Sequence, residues 1–150
     1  MRLLVTGGAG FIGSNFVHYW LARHPGDELV VYDLLTYAGN RESLAVVEDR
    51  IAFVQGDICD RELAEATLRE RGTEVVVNFA AESHNSLAVV DPTRFFRTNV
   101  LGTQTLLDAS RAAGVGRFHH VSTCEVYGDS SVKTSSVSIA RSPYTSHVET

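Results

Sequence analysis

Apolar runs alternate with stretches of helical periodicity over about the first 122 residues of the chain. The apolar runs predict strands near residues 2–6, 28–33, 51–56, 74–79 and 117–122. The periodic stretches predict helices near residues 11–24, 60–71 and 93–113, and a shorter turn near residues 41–48. Several of the runs are apolar at nearly every position, which is typical of strands that helices cover on both faces.

This alternation predicts an α/β fold of the Rossmann type, in which right-handed crossovers build a doubly wound parallel sheet. The expected strand order is 3-2-1-4-5, with a ligand crevice above strands 1 and 4 at their carboxyl ends. We expect residues 1–128 to form this dinucleotide-binding domain. Residues 129–150 are rich in serine and threonine and are predicted to be a poorly ordered tail.

A glycine-rich turn, Val5-Thr-Gly-Gly-Ala-Gly-Phe-Ile-Gly13, joins the first predicted strand to the first helix. Gly8, Gly10 and Gly13 have the spacing G-x-G-x-x-G, and Gly7 adds the spacing G-x-x-G-x-x-G. Such glycines allow a tight turn, a close approach of the pyrophosphate to the backbone, and close packing of the helix on the strand. The phosphates then face free N–H groups at the helix N-terminus. The turn therefore predicts a dinucleotide site.

An acidic residue, Asp33, ends the second predicted strand. A carboxylate at this place accepts hydrogen bonds from the adenosine ribose hydroxyls and repels a 2′-phosphate, so the sequence predicts NAD rather than NADP. The alternative is an ordinary strand–turn–helix unit with an aspartate at the start of a loop.

Length and charge narrow the class of protein. The 150 residues suit one domain, and the net charge of −5 argues against nucleic acid or an anionic membrane as a partner. The two cysteines lie far apart, which suits reduced thiols and predicts a cytoplasmic protein. Neither they nor the histidines show the spacing of metal ligands, so no metal site is expected.

Five further segments stand at or just beyond strand ends, or on the helix that follows. They are Asp33-Leu-Leu-Thr-Tyr-Ala-Gly-Asn40, Gly56-Asp-Ile-Cys-Asp60, Phe79-Ala-Ala-Glu-Ser-His84, Thr98-Asn-Val-Leu-Gly-Thr103 and Val121-Ser-Thr-Cys-Glu-Val-Tyr-Gly128. Together with the glycine turn they resemble the extended short-chain dehydrogenase/reductase family. Within that family they are most similar to the dTDP-glucose 4,6-dehydratases, which are lyases of nucleotide-sugar metabolism.

The resemblance implies NAD as cofactor, a dTDP-sugar or related nucleotide sugar as substrate, and a homodimer as the expected assembly. The implied cofactor-binding residues are Gly7, Gly10, Phe11, Ile12 and Gly13 at the pyrophosphate, Asp33, Leu34, Leu35 and Thr36 at the adenosine ribose, Asp57 and Ile58 at the adenine, and Phe79, Ala80, Ala81, Ser83 and Thr98 near the nicotinamide. Ser83 and Thr123 are also implied to bind substrate. Taken singly, Asp57 could instead be a turn former, and the two alanines could be small residues that allow close packing.

The resemblance further implies four catalytic residues, Thr123, Cys124, Glu125 and Tyr144. Thr123 matches the hydroxyl near C4 of the sugar, and Glu125 matches the base that removes the C5 proton. Cys124 stands where these dehydratases have the aspartic acid that protonates the departing C6 hydroxyl. Tyr144 matches the tyrosine that accepts the C4 hydroxyl proton.

Several positions depart from this pattern. Cys124 is a weaker acid than a carboxylic acid, and it could simply be a small thiol that fills the acid's place. The position of the partner lysine is taken by Val148, which cannot lower the pKa of a phenol. The segment after His84 reads Asn85-Ser-Leu-Ala88, so the sugar-side aspartate and arginine of the dehydratases are missing. The substrate domain is also expected to be absent.

Three functions are therefore compatible with the sequence. The first is a nucleotide-sugar dehydratase whose turnover in this short chain is low or nil. The second is a truncated, catalytically silent NAD-binding relic. The third is an epimerase or decarboxylase of the same family that acts on a UDP-sugar.

Overall fold

A computed structural model describes residues 1–123 of the chain, apart from the side chain of Asn85. Its centre is a five-stranded, wholly parallel sheet in the order 3-2-1-4-5. The strands are β1 (Arg2–Thr6), β2 (Glu28–Asp33), β3 (Ile51–Gln55), β4 (Val75–Asn78) and β5 (Arg117–His120). The predicted Rossmann-type fold and strand order are confirmed. The proposed boundary at residue 128, the tail 129–150 and the positions of Cys124, Glu125 and Tyr144 lie outside the described residues.

The helices cover both faces of this sheet. They are α1 (Phe11–Arg23), a 3₁₀ helix (Arg41–Arg50), α2 (Arg61–Glu70), α3 (Asn85–Val90), α4 (Pro92–Phe95), a π-helical stretch (Phe96–Gly102) and α5 (Thr103–Ala113). Because α4, the π-helical stretch and α5 follow one another without a break, they form the single long helix that the sequence predicted near 93–113. None of the helices within residues 1–123 is long and apolar enough to span a lipid bilayer.

Neighbouring residues of β1 enter two different cores, one on each face of the sheet. Leu3 and Val5 pack in a core with Val17 and Leu21 of α1. Leu4, between them, packs in the opposite core, which also contains residues of α2 and α5. Burial of an aliphatic side chain of this size stabilises the fold by about 1.5–3 kcal/mol. An uninterrupted apolar strand is therefore the expected consequence of a sheet covered on both faces.

The helix α3 was not predicted from the sequence. Its two valines, Val89 and Val90, are 86% and 81% exposed, so the segment lacks the apolar periodicity that marks a helix packed on a core. The following helix starts at a clear signal, because Asp91 caps it by accepting a hydrogen bond from the Arg94 N–H and Pro92 occupies its first turn.

Candidate functional site

The glycine turn brings the end of β1, the start of α1 and the loop after β4 into close contact. Gly7 has a φ of +64°, and a Cβ there would lie 2.7 Å from the backbone nitrogen of Ala80. A Cβ on Gly13 would overlap the carbonyl oxygen of Gly7. These two positions therefore require glycine, one for the turn and the other for the close packing of α1 on the turn.

Gly10 is different, because a Cβ there would meet only the carbonyl oxygen of Gly7, at 3.2 Å. Gly10 is also the N-cap of α1 and offers no side-chain hydrogen bond to the helix. The first N–H groups of a helix have no partner within the helix, and here no capping side chain supplies one. The side chains of Phe11 and Ile12 are 85% and 63% exposed. This end of α1 thus offers open backbone donors and a positive dipole end, which fit a pyrophosphate.

Asp33, at the end of β2, is only 8% exposed and holds two backbone segments. Its Oδ2 accepts a hydrogen bond from the N–H of Ala9 (2.9 Å), inside the glycine turn. Its Oδ1 accepts a hydrogen bond from the N–H of Leu35 (2.8 Å), whose φ of +57° is unusual for a residue with a side chain. Each carboxylate oxygen can accept a second hydrogen bond, so the group can still bind a ribose hydroxyl.

Asp57, after β3, also has both carboxylate oxygens engaged. Oδ1 accepts a hydrogen bond from the Cys59 N–H (2.8 Å), and Oδ2 pairs with the Arg97 guanidinium (2.8 Å). Burial acts to raise the pKa of Asp57, but the Cys59 N–H and Arg97 outweigh it, so this pKa lies below its ordinary value. The carbonyl oxygen of Asp57 accepts a hydrogen bond from the Tyr32 hydroxyl (3.0 Å). The carboxylate is therefore a fixed, ionised acceptor.

Hydrogen bonds also link the carboxyl ends of β1, β4 and β5. The buried Thr6 hydroxyl bonds to Oδ1 of Asn78, and Nδ2 of Asn78 lies 3.0 Å from Nδ1 of His120. The Ala80 N–H donates to the Thr6 hydroxyl oxygen over 3.4 Å. The Asn78 carbonyl accepts a hydrogen bond from the Val121 N–H (3.1 Å), which holds Val121, two residues before Thr123, beside the end of β4.

These strand ends enclose one crevice of about 620 Å³, counting the part open to solvent. It is lined by Gly7, Gly10, Tyr32, Asp33, Leu34, Thr36, Ala38, Gly39, Gly56, Asp57, Ile58, Phe79, Ala80, Ala81, Glu82 and Thr98. The crevice lies at the carboxyl ends of the strands, where β1 and β4 are neighbours and the order of the sheet reverses. This is the place at which sheets of this type bind ligands.

Most of the residues proposed from the sequence as cofactor-binding line this crevice, but five do not. Phe11, Ile12 and Gly13 lie on α1, Leu35 points its backbone N–H at Asp33, and Ser83 is exposed beyond the lining. Sequence reasoning missed Tyr32, Ala38, Gly39, Gly56 and Glu82. Of these, Gly56 carried a usable sequence signal, since it is a glycine that directly follows β3. The structure gives the reason for glycine there, because a Cβ would overlap the Tyr32 ring.

Within residues 1–123 no group of three or more histidine, cysteine or acidic side chains is placed to hold a metal ion. The charges in the crevice are instead carboxylates held by backbone N–H groups and arginines, which suit the hydroxyl and amine groups of a nucleotide.

Comparisons with known proteins agree with this geometry. The sequence model of the NAD dependent epimerase/dehydratase family matches residues 3–148 of the chain. The chain belongs to this family. A dTDP-glucose 4,6-dehydratase of Mycobacterium tuberculosis is 60% identical over 129 residues, which cover 86% of this chain and 38% of that enzyme. The resemblance to extended short-chain dehydrogenases/reductases, and to dTDP-glucose 4,6-dehydratases among them, is confirmed.

Two solved structures extend the comparison to the backbone. A dTDP-glucose 4,6-dehydratase from Streptomyces venezuelae, crystallised with NAD, matches with a TM-score of 0.81 at 55% sequence identity. The matched region covers 86% of this chain and 41% of the dehydratase chain. A UDP-glucose 4-epimerase from Thermotoga maritima, crystallised with UDP-glucose, matches with a TM-score of 0.75 at 35% sequence identity. The matched region covers 82% of this chain and 38% of the epimerase chain. The chain thus spans about two-fifths of the length of these relatives.

Proposed function

We propose that the chain binds NAD in the crevice and forms the cofactor-binding part of a dehydratase that acts on dTDP-glucose or a related nucleotide sugar. The observation that carries this proposal is the convergence of four separate segments, at Gly10, Asp33, Asp57 and Ala80, on one crevice. The high identity to dTDP-glucose 4,6-dehydratases supports the substrate class.

The residues present fit NAD along its whole length. The open N-terminus of α1 is suited to the pyrophosphate, and the buried carboxylate of Asp33 to the ribose diol. Asp57, ionised and fixed, is suited to the exocyclic amine of adenine. The small lining residues Ala80 and Ala81 leave room for the nicotinamide ring. Bound there, NAD supplies a reversible hydride acceptor.

The proposed catalytic residues follow β5 in the chain. Thr123 would hold the sugar near C4, Glu125 would take the C5 proton, Cys124 would stand in the place of the C6 acid, and Tyr144 would accept the C4 hydroxyl proton. Cys124 and Val148 replace the aspartic acid and the lysine of the pattern. We therefore propose that this chain has low dehydratase turnover. If the turnover is nil, the chain is a catalytically silent NAD-binding module.

An epimerase acting on a UDP-sugar is the second candidate, because a UDP-glucose 4-epimerase shares the backbone at 35% identity. The relatives named above that are most identical to the chain are dehydratases, at 60% and 55%. The dehydratase is for that reason the first candidate.

We also propose that two copies of the chain associate. Phe96, Val100 and Leu107 along the long helix are 59%, 49% and 41% exposed, and an apolar stripe of this kind fits a second copy of itself. Sedimentation of the purified chain is expected to show a dimer, and a monomer at high concentration would contradict this assembly.

The cytoplasm remains the proposed compartment.

The binding proposal is tested by titrating the ¹⁵N-labelled chain with NAD and following amide NMR shifts. We expect saturable shifts at Gly7, Ala9, Leu35 and Ala80, whose amides surround the crevice. The amide of Gly26, in the turn before β2, is the internal control and should not move. Shifts confined to other surfaces, or none with a folded chain, would contradict the proposal.

A further inference from the structure

The buried carboxylate of Glu82, in the loop after β4, joins side chains from two other segments. Glu82 is 7% exposed, and its Oε1 accepts a hydrogen bond from Nε of Arg94 over 2.7 Å. Nη2 of Arg94 lies 2.7 Å from the same oxygen in an ion pair. Oε2 of Glu82 accepts a hydrogen bond from the Tyr37 hydroxyl over 3.2 Å. The Arg94 guanidinium also lies 5.4 Å from the centre of the Tyr37 ring. We call these three residues the rim cluster.

The backbone beneath the rim cluster is fixed as well. The Glu82 N–H donates to Oδ1 of Asn99 (2.8 Å), and Nδ2 of Asn99 donates to the Glu82 carbonyl (2.9 Å). This reciprocal pair ties the loop after β4 to the long helix. Glu82 is therefore a rigid anchor, while Tyr37 is 61% exposed and has room to swing away into solvent.

The rim cluster connects the two walls of the crevice. Tyr37 lies between Thr36 and Ala38, which line one wall, and Glu82 follows Ala80 and Ala81, which line the other. The hydrogen bond from Tyr37 to Glu82 thus spans the opening between the loop at the end of β2 and the loop at the end of β4. A long ligand that enters between these loops has to part this contact.

We infer that the rim cluster is a clasp across the crevice that limits how fast a dinucleotide enters and leaves. The inference rests on the proposed NAD site and adds to it a control of exchange. Because the clasp has to open in both directions, loosening it speeds binding and release together and leaves the dissociation constant nearly unchanged.

The chemistry of the cluster suits a clasp that stays closed near neutral pH. Partial burial and the neighbouring Glu82 carboxylate raise the pKa of Tyr37 above its ordinary value. The phenol therefore remains protonated and can donate to the carboxylate. The Arg94 guanidinium pairs with the same carboxylate and orients it toward Tyr37.

The test uses stopped-flow fluorescence of NADH binding to the full chain, with release measured by displacement with excess NAD. Tyr37→Phe removes only the hydroxyl, and we expect both rate constants to rise about three- to tenfold, the range of one hydrogen bond. Glu82→Gln should raise them further, because it also weakens the ion pair with Arg94. Tyr19→Phe and Glu48→Gln are matched controls, since Tyr19 lies on α1 and Glu48 pairs with Arg41 on the surface at 2.7 Å.

The outcomes separate the clasp from the site itself. A wild-type chain that binds no NADH overturns the proposed function and the clasp with it. A wild-type chain that binds, with variants of unchanged rates, overturns the clasp alone. A dissociation constant that rises in step with the release rate also overturns it, because a residue that merely shapes the site weakens binding without speeding entry. Tyr37→Phe keeps the test valid if Glu82→Gln fails to fold.

Discussion

Asp33 has two tasks in this molecule, since the carboxylate proposed to bind the ribose also holds the loops that form the site. Its two oxygens accept hydrogen bonds from the N–H groups of Ala9 and Leu35. The sequence motif predicted only the ligand-binding task, because a motif records which residue is present and not which backbone groups fold back on it. The same limit explains why Glu82 was missed: its partners Tyr37 and Arg94 lie 45 and 12 positions away.

The charge of Asp33 leads to a prediction about cofactor choice. We expect the chain to bind NADH much more tightly than NADPH, and Asp33→Asn to reduce this preference roughly tenfold or more, because like charges about 4 Å apart near a surface repel by several kcal/mol. Asp33→Asn should also weaken NADH binding modestly, since one backbone N–H loses its acceptor. Fluorescence titrations with both dinucleotides give the ratio. Equal affinities in the wild-type chain would contradict the position assigned to Asp33.

At the scale of elements, strands and long helices were predictable while short helices were not. The five strands and their order follow from apolar runs that alternate with amphipathic stretches, a signal that arises from burial itself. The helix Asn85–Val90 has exposed valines and buries little, so it leaves no such signal. The π-helical stretch Phe96–Gly102 is likewise not visible in the sequence pattern. At Gly102 a Cβ would lie 2.7 Å from the Ile58 side chain, so this contact fixes the helix against the loop after β3.

The junction of β1 and α1 gives a prediction about stability. Gly13→Ala places a Cβ against the carbonyl oxygen of Gly7 and 2.8 Å from the Gly8 Cα, both of them backbone atoms that cannot rotate away. We expect a loss of about 1–3 kcal/mol in the free energy of unfolding, as for other overpacked sites. Urea denaturation measures it. Gly26→Ala is the control, because a Cβ there meets nothing within 4 Å. Equal stability of the two variants would contradict the close packing of α1 on the glycine turn.

For the molecule as a whole, the proposed cofactor site and the proposed catalytic set lead to different expectations. The crevice residues fit NAD, whereas Cys124 and Val148 replace an acid and a lysine. Loss of a general acid or base commonly costs 10²–10⁴-fold in rate. We therefore expect dTDP-glucose and NAD to yield little 4-keto-6-deoxy product with this chain.

The paired variant Cys124→Asp with Val148→Lys should raise that turnover, while Cys124→Ala should leave it at the wild-type level. Product is followed by chromatography of the nucleotide sugars. Turnover of about 1–10³ s⁻¹, the range of ordinary enzymes, together with its loss in Cys124→Ala, would show instead that the thiol is a working acid.

The central claim is that the crevice above β1 and β4 binds NAD, and calorimetry of the purified chain with NAD tests it most directly. We expect saturable binding of one NAD per chain. Gly10→Val should abolish it, because the new side chain would occupy the place proposed for the pyrophosphate, and Gly26→Ala should leave it unchanged. A folded chain that binds no NAD at millimolar concentration, or a Gly10→Val variant that binds NAD as tightly as the wild-type chain, would contradict the claim.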